Sequence, residues 1–353
     1  MKTKVLNIED LKSDTAQSAL AEAGSLLRSG QLVAFPTETV YGLGANGLDG
    51  AACARIYEAK GRPSDNPLIL HVADRAMVEG IAEDIPPMAE KLMAAFLPGP
   101  MTLILRRTSI VPDRITGGLA TVGVRMPESA AARAMIRAAG VPVAAPSANL
   151  SGRPSPTTAA SVLRDMDGRI PLILDGGACR FGVESTIVDC TGPVATILRP
   201  GAITREMLRE VLGGVKLDPA LVGANVTPKA PGMKYRHYAP KAPLTLLEGA
   251  PAKMAAAFRR HVRHLQKEGR TVGILASDEV CDELRDLVPD GLRKSYGPQG
   301  DLAAIAAHIY EALIAFDDTA ADALRGEGTT EPGLGLAIMN RLHKASGFHT
   351  IEI

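Results

Sequence analysis

Two short stretches near the N-terminus carry residue types that could bind an anion. Residues 35–44 read FPTETVYGLG, and Lys60 and Arg62 follow about one helix later. The apolar run 32–35 predicts a strand, and a polar loop rich in hydroxyl groups follows it. We expect the two glycines of the motif, Gly42 and Gly44, to close this loop, and a helix to follow at 51–59. Because α/β proteins build phosphate sites from a strand, a loop and a helix in this order, the layout predicts a pocket for an anion, most simply a nucleotide.

Four later stretches also place polar or basic side chains at the ends of predicted strands. They are Thr121–Pro127 (TVGVRMP), Ala145–Gly152 (APSANLSG) followed by Ser155, Gly182–Thr186 (GVEST) and Leu198–Gly201 (LRPG). An arginine that ends an apolar strand is costly inside a core, so we expect Arg125 at the edge of the sheet, where ligands bind. A surface ion pair is the alternative. Ser147 and Asn149 could donate to phosphate oxygens or simply form a turn.

The sequence argues against covalent catalysis by a side-chain nucleophile. It has neither a GxSxG motif nor a Walker A lysine loop, and His71 is the sole histidine before residue 217. The remaining equipment is a set of hydroxyls, amides and arginines at strand ends. Such a set suits phosphoryl or nucleotidyl transfer, where the enzyme chiefly positions the reactants and offsets their charge.

Composition limits the classes of protein that fit. Lys+Arg and Asp+Glu both number 39, and aromatic residues make up only 3% of the chain, so a surface built to grip RNA is not expected and any anion site must be local. The four cysteines are not spaced as CxxC, which favours reduced thiols of a cytosolic protein over zinc ligands or disulfides. We find neither a signal peptide nor an apolar run long enough to span a membrane.

The order of predicted elements indicates two α/β domains joined by a linker. Residues 1–216 alternate strands and helices, with some connections too short for crossovers, which predicts a mixed sheet. Residues 217–243 are rich in proline and predict an extended linker. Its segment PGMKYRHYAP either makes functional contacts or simply lies on the domain surface, and the residues leave both open. Residues 244–353 predict a small doubly wound domain.

The individual elements follow from hydrophobic pattern and from helix start and stop signals. Strands are predicted at 32–35, 68–72, 102–105, 121–125, 143–145, 172–175, 186–189, 195–198, 244–247, 272–276 and 348–353. Helices are predicted at 15–29, 51–59, 86–96, 129–139, 158–166, 203–212, 252–268, 279–287 and 302–316.

Seven motifs, in order and spacing, closely resemble the YrdC-like threonylcarbamoyl-AMP synthases. They are FPTETVYGLG, KGRP, DNPLILHVAD, GVRMP, APSANLSG, GVESTIVD and LRPG, and the resemblance covers residues 20–205. The linker motif and the C-terminal domain resemble the longer, two-domain form of that family. The resemblance implies an α/β fold: a YrdC-like catalytic domain at 1–216, with a twisted mixed sheet and a central cavity, a linker or lid at 217–243, and a smaller Rossmann-like domain at 244–353.

The resemblance also implies an activity. Members of this family are nucleotidyltransferases that make L-threonylcarbamoyladenylate and pyrophosphate from L-threonine, bicarbonate or CO2, and ATP, with Mg2+ carried by the ATP. A separate complex then transfers the threonylcarbamoyl group to adenosine 37 of tRNAs that read ANN codons. We therefore expect a cytoplasmic enzyme that does not bind membranes and does not bind nucleic acid tightly.

Roles for individual residues come from the same resemblance, by matching positions. The catalytic set would be Lys60, Arg62, Ser147 and Asn149. Threonine would be held by Thr39, His71, Arg125 and Ser185, with Arg125 on the carboxylate. ATP would be held by Arg62, Asn66, Thr121, Ser147, Ser155, Arg199, Tyr235 and His237, of which the last two would close over the nucleotide. The resemblance implies no metal-ligating side chain.

Two other classes of protein compete with this interpretation. One is an RNA-binding or ribosome-assembly module that uses the same basic cavity, and it predicts a salt-dependent RNA affinity without ATP turnover. The other is an enzyme that transfers a carbamoyl group from carbamoyl phosphate, and it predicts indifference to threonine.

Overall fold

The structure, a computed structural model, describes residues 2–63, 66–222 and 237–353. They form two compact units. The first takes the described residues up to 222, except for 152–154 and 181–183, which group with the second unit, from 237 onwards. The domain bounds at 216 and 243 stay a prediction.

The first unit is built on one large mixed sheet. Its strands are β1 (Lys4–Asn7), β2 (Val33–Phe35), β3 (Gly42–Asn46), β4 (Ile69–His71), β5 (Ala82–Glu83), β6 (Met101–Arg107), β7 (Thr121–Arg125), β8 (Val143–Ala144), β9 (Leu172–Asp175), β10 (Thr186–Asp189), β11 (Thr196–Arg199) and β12 (Lys216–Leu217). Their order is β1-β9-β2-β3-β8-β4-β7-β6-β10-β11-β12, with β5 beside β6. The sheet contains both parallel pairs, such as β4/β7, and antiparallel pairs, such as β6/β7, which confirms the predicted mixed sheet.

Helices cover this sheet and supply much of its core. They are α1 (Asp14–Arg28), α2 (Gly50–Lys60), α3 (Arg75–Ile81), α4 (Pro87–Phe96), α5 (Asp113–Thr116), α6 (Ala130–Ala139), α7 (Ala159–Met166) and α8 (Arg205–Leu212). Helix α1 begins where Ser13 accepts a hydrogen bond from the backbone of Ala16, a favoured N-cap arrangement. It packs tightly on α6, since a Cβ at Gly24 would lie 2.6 Å from the backbone of Ala138.

The loop at 36–41 does not lead into a helix, and this part of the prediction was wrong. Gly42 and Gly44 do not close a turn; they lie in β3, which returns antiparallel to β2 and precedes α2. The physical reason is packing. A Cβ at Gly44 would lie 2.9 Å from Val143 and 3.0 Å from Phe35, so only glycine lets the neighbouring side chains approach the strand this closely.

The second unit is a parallel sheet flanked by helices. Its strands are β13 (Leu244–Glu248), β14 (Val272–Ala276), β15 (Arg293–Ser295), β16 (Ala323–Glu327) and β17 (Thr350–Glu352), in the order β15-β14-β16-β13-β17. Its helices are α9 (Pro251–Lys267), α10 (Asp278–Glu283), α11 (Leu302–Ala315) and α12 (Leu334–Ser346). All four strand pairs are parallel, which fits the predicted doubly wound arrangement.

Two further findings concern the helices and the cysteines. Within the described ranges, no helix is both long and apolar enough to cross a bilayer. All four cysteines are buried thiols, and burial raises the pKa of Cys53, Cys190 and Cys281 to about 12.

Candidate active site

The segment that follows β8 is attached to β3 by backbone contacts. Leu43 N donates to Pro146 O at 2.8 Å, Ala148 N donates to Tyr41 O at 2.9 Å, and Gly42 forms a β-bridge with Ser147. These contacts fix the 146–149 backbone, and with it the position of the polar groups on Ser147 and Asn149.

Lys60, the last residue of α2, reaches this segment. Its Nζ donates to Ser147 O, to Asn149 O at 2.6 Å and to Asn149 Oδ1 at 3.4 Å, and Ser147 Oγ lies 2.5 Å from the same Oδ1. Burial, together with the charge of Arg62, lowers the pKa of Lys60 well below its usual range, and Asp165 and Glu184 act in the opposite direction. The structure thus brings three of the four predicted catalytic residues into contact.

Arg62 lies just past the end of α2, which Gly61 terminates in a left-handed conformation. Arg62 is half-buried, and its Nη2 donates to Asn66 O at 3.2 Å while its guanidinium lies 5.7 Å from the ring centre of Tyr57. The hydroxyl of Tyr57 donates to the same carbonyl at 3.1 Å. Arg62 and Asn66, both predicted to hold ATP, are therefore neighbours.

Arg125 ends β7 and is only 4% exposed. Its Nη2 donates to Glu38 Oε1 at 2.7 Å and lies 3.4 Å from Thr37 Oγ1, while its buried Nε has no hydrogen-bond partner among the described residues. Thr37 Oγ1 in turn lies 2.9 Å from Thr39 Oγ1. A buried guanidinium with an unused N–H can still bind a carboxylate.

His71 lies opposite Arg125 in the register of β4 and β7. Burial, reinforced by the charge of Arg125, lowers the pKa of His71 to about 3, so its imidazole is neutral at neutral pH. Burial also acts to raise the pKa of Glu38, but the charge and hydrogen bond of Arg125 outweigh it, and the pKa of Glu38 is lowered. The Glu38–Arg125 contact is consequently an ion pair beside a neutral imidazole.

Four further polar contacts involve the predicted residues Ser155, Ser185 and Arg199. Ser185 Oγ lies 2.7 Å from Thr102 Oγ1, and Arg199, at the end of β11, donates through Nη2 to Ser185 Oγ at 3.1 Å and through Nε to Ser185 O at 3.0 Å. Ser155 Oγ donates to Glu184 Oε1 at 2.6 Å. The negative charge of Glu184 also acts to raise the pKa of Lys60, so this group interacts electrostatically with Lys60.

Thr121, His237 and Tyr235 are the remaining predicted ATP ligands. Thr121 begins β7, four residues before Arg125, and forms no side-chain hydrogen bond with the described residues. His237 belongs to the second unit, where its ring packs edge-on against Tyr238 at 4.2 Å between centres. Tyr235 lies outside the described residues. The assignments of these three residues, like those of the other predicted site residues, stay predictions.

The structure adds residues that sequence reasoning left without a role. Glu38 pairs with Arg125, Thr37 orients the loop, Thr102 bonds Ser185, and Glu184 accepts from Ser155. Glu38 lies in the motif FPTETVYGLG and Glu184 in GVESTIVD, so an acidic residue among hydroxyl-bearing residues and glycines could have indicated a role for each. Thr102 gave no such indication, because it is a single threonine in an apolar strand.

The arrangement suits a small substrate with several negative charges. The basic side chains of Lys60, Arg62, Arg125 and Arg199 stand at or just past the ends of strands or helices. In the part of the chain that the structure describes, no group of three or more His, Cys, Asp and Glu side chains could hold a metal ion. The basic side chains at these positions give the site the means to position and neutralise anions.

Comparison with known proteins places this chain in a defined family. A family model described as "Telomere recombination" (Sua5_yciO_yrdC) matches residues 25–201, and one described as "Threonylcarbamoyl-AMP synthase, C-terminal domain" matches residues 203–347. The chain belongs to the Sua5/YciO/YrdC family, in its longer, two-domain form.

Curated relatives and a solved structure agree over nearly the whole chain. A Bacillus subtilis protein named threonylcarbamoyl-AMP synthase is 46% identical and covers 100% of both chains, and a Pyrococcus abyssi protein of the same name is 47% identical, covering 94% of this chain and 95% of its own. The structure titled as P. abyssi Sua5 complexed with L-threonine is 44% identical, with a TM-score of 0.92, and covers 99% of this chain and 100% of its own.

Proposed function

We propose that this protein is a threonylcarbamoyl-AMP synthase: it joins L-threonine, bicarbonate and ATP to give L-threonylcarbamoyladenylate, pyrophosphate and water. The observation that carries the proposal is buried Arg125, whose Nε is unused among the described residues and which stands beside neutral His71 and the hydroxyls of Thr37 and Thr39. This set matches an amino acid with a carboxylate, an amine and a hydroxyl. The curated names of the full-length relatives support the same activity.

The threonine half of the reaction follows from this geometry. The Nε–H of Arg125 is buried in this structure and would have to be uncovered to donate to the threonine carboxylate, while Nη2 stays on Glu38. Neutral His71 adds no charge that would repel the substrate ammonium group. The threonine amine, once deprotonated, attacks the carbon of CO2 or bicarbonate to give a carbamate; from bicarbonate, this step releases water.

In the nucleotide half of the reaction, the main task of the protein is to offset negative charge. A carbamate oxygen attacks the α-phosphorus, the bond to the bridging oxygen breaks, and pyrophosphate leaves. Lys60, Arg62 and Arg199 would offset the negative charge that crowds together in this step. We propose that Mg2+ enters with ATP, held by phosphates and water, because the described residues offer no carboxylate cage for it.

The remaining assignments extend the proposal. We propose that the adenylate passes, in the cytoplasm, to a separate complex that modifies tRNA. We also propose that the linker residues Tyr235 and His237 close over the nucleotide. If so, Tyr235→Ala should raise the KM for ATP and leave the KM for threonine close to its original value, while an unchanged KM for ATP would contradict the lid.

The test is pyrophosphate release from ATP, Mg2+ and bicarbonate, with and without L-threonine, and a mass determination of the adenylate. L-valine is the matched control because it replaces the threonine hydroxyl with a methyl group. Threonine-dependent release together with a threonylcarbamoyl-AMP mass supports the proposal. Release that ignores threonine favours carbamoyl transfer, and salt-dependent RNA binding without turnover favours the RNA-binding class.

A further inference from the structure

The second unit contains a cavity of its own, of about 260 Å3, at the carboxyl edge of its parallel sheet. Four of its lining residues come directly from strand ends: Gly249 follows β13, Ser277 follows β14, Tyr296 follows β15 and Glu327 ends β16. Ligands of open parallel sheets bind at this edge, because the loops there converge and backbone groups are available.

A buried carboxylate stands in the wall of this cavity. Glu327 is 4% exposed; its Oε2 accepts from Ser277 N and Ser277 Oγ, both at 2.7 Å, and its Oε1 accepts from Gln299 Nε2 at 3.1 Å. Ser277 precedes α10 at the N-cap position, yet its hydroxyl does not cap the helix. The hydroxyl instead serves the carboxylate, so local structure is arranged around Glu327.

The carboxylate has hydrogen bonds but no cation. Among the described residues Glu327 forms no ion pair, although buried carboxylates are as a rule paired with a positive charge. A carboxylate offers about four acceptor positions. Three are used by Ser277 and Gln299, and the hydroxyl of Tyr296 also interacts with this carboxylate, so every donor that the described residues bring to Glu327 is neutral.

The other lining residues indicate the chemical character of a ligand that Glu327 could bind. Pro251, Met254 and Ile305 form an apolar wall, Thr329 and Thr330 add hydroxyls, and Glu331 adds a second acid. The lining contains no lysine, arginine or histidine, so a phosphate or a carboxylate would find no counter-charge. A small ligand with a cationic head and a short apolar body fits this combination.

We propose that the C-terminal unit binds a small molecule with a primary ammonium group, held by Glu327 at the carboxyl edge of the sheet. The ammonium group donates to Glu327 Oε1, and its carbon chain lies against Met254 and its apolar neighbours. This site is distinct from the adenylate-forming chemistry, which the residues of the first unit perform, and it gives the second unit a binding function of its own.

The test uses the full chain with 13C-methyl-labelled methionine, observed by NMR. Three probes of equal length are titrated: butylammonium chloride, butan-1-ol and sodium butanoate. We expect a saturable shift of the Met254 methyl with butylammonium, and binding at least about 10-fold weaker for the alcohol and the carboxylate. Equal affinity for butylammonium and butanol, or no saturable shift of Met254 with butylammonium at about 50 mM, would overturn the proposal.

Variants separate the charge from the fold. Glu327→Gln should weaken butylammonium at least about 10-fold. Because this buried variant could fail to fold, the decisive variant is a lysine at exposed Gln299, whose side chain already reaches Oε1. Gln299→Lys supplies a built-in ammonium and should block the probe at least about 10-fold, while the matched control Gln266→Lys, at an exposed position outside the cavity lining, should keep affinity within about 3-fold. Equal affinity in the two lysine variants would refute the role of charge.

Discussion

Replacing Arg125 with lysine keeps the positive charge of this side chain and removes its planar geometry. In the structure one nitrogen, Nη2, is committed to Glu38 and another, Nε, is unused among the described residues. A lysine offers one compact ammonium group, which we expect to remain on buried Glu38. The substrate carboxylate then loses one charge-assisted hydrogen bond, worth about 1.5–3 kcal/mol, and the KM for threonine should rise by about 10- to 150-fold.

The assay measures initial rates of pyrophosphate release against threonine at saturating ATP, and against ATP at saturating threonine. The KM for ATP should change by less than about 3-fold, because Arg125 is assigned to threonine alone. Folding stability should fall only modestly, since Glu38 keeps a cation. Arg125→Met, by contrast, leaves Glu38 buried without one and should cost about 3–5 kcal/mol of unfolding free energy.

The matched control is Arg75→Lys. Arg75 pairs with Glu79 and Glu90 on the surface, with a side chain 42% exposed, so its replacement should change stability by at most about 1 kcal/mol and leave both KM values unaltered. An unchanged KM for threonine in folded Arg125→Lys, or an equal rise in the KM for ATP, would refute the assignment of Arg125 to the substrate carboxylate.

Three further outcomes are expected. Arg62→Ala removes a charge-assisted phosphate contact and should lower kcat/KM for ATP by about 10- to 150-fold in the same assay; unchanged turnover would contradict its role. Native His71 stays neutral down to about pH 3 whereas the unfolded chain protonates it below about pH 6.5, so its contribution to stability is complete above pH 6.5 and declines as pH falls toward 3. The free energy of unfolding, measured by urea titration at several pH values across that window, should depend on pH less steeply in His71→Gln, by up to about 1.4 kcal/mol per pH unit. An identical pH dependence would count against buried neutral His71. Gly44→Ala adds a methyl group 2.9 Å from a Val143 methyl and should destabilise by about 1–3 kcal/mol, whereas Gly214→Ala, with open space around it, should stay within about 0.5 kcal/mol; equal effects would mean that the strand relaxes.

Elements with a strong local pattern were predictable from the sequence. Strands β7, β9, β10 and β14 have the predicted bounds, because each is a largely apolar run that contains β-branched residues and has clear ends. The sequence of β3, GLGAN, contains two glycines, which are depleted in strands, and β16, ALRGE, carries two charges and a glycine. Both strands exist because neighbouring strands pair with them on each side, and no pattern within five residues reports that.

In the candidate site, too, features with a local sequence pattern were predictable and features that depend on distant residues were not. The motifs placed Lys60, Ser147 and Asn149 at element ends, and these residues are in contact in the structure. The Glu38–Arg125 pair joins residues 87 positions apart, so it depends on the register of strands that are distant in sequence. Sequence reasoning saw an arginine at a strand end and an acid in a loop, but nothing local to either indicated that they meet.

The position of β9 in the first sheet affects how the chain can fold as it is synthesised. β1 is synthesised before the other described strands. It pairs with β9, and β9 in turn pairs with β2, so β1 does not pair directly with any of the strands β2 to β8. At translation rates of about 5–20 residues per second, β1 waits roughly 10–35 s for residues 172–175. During that interval α1 can already pack on its neighbours, but the N-terminal edge of the sheet is open to the wrong partners. Chaperones that bind nascent chains would therefore be expected to protect this segment until β9 arrives.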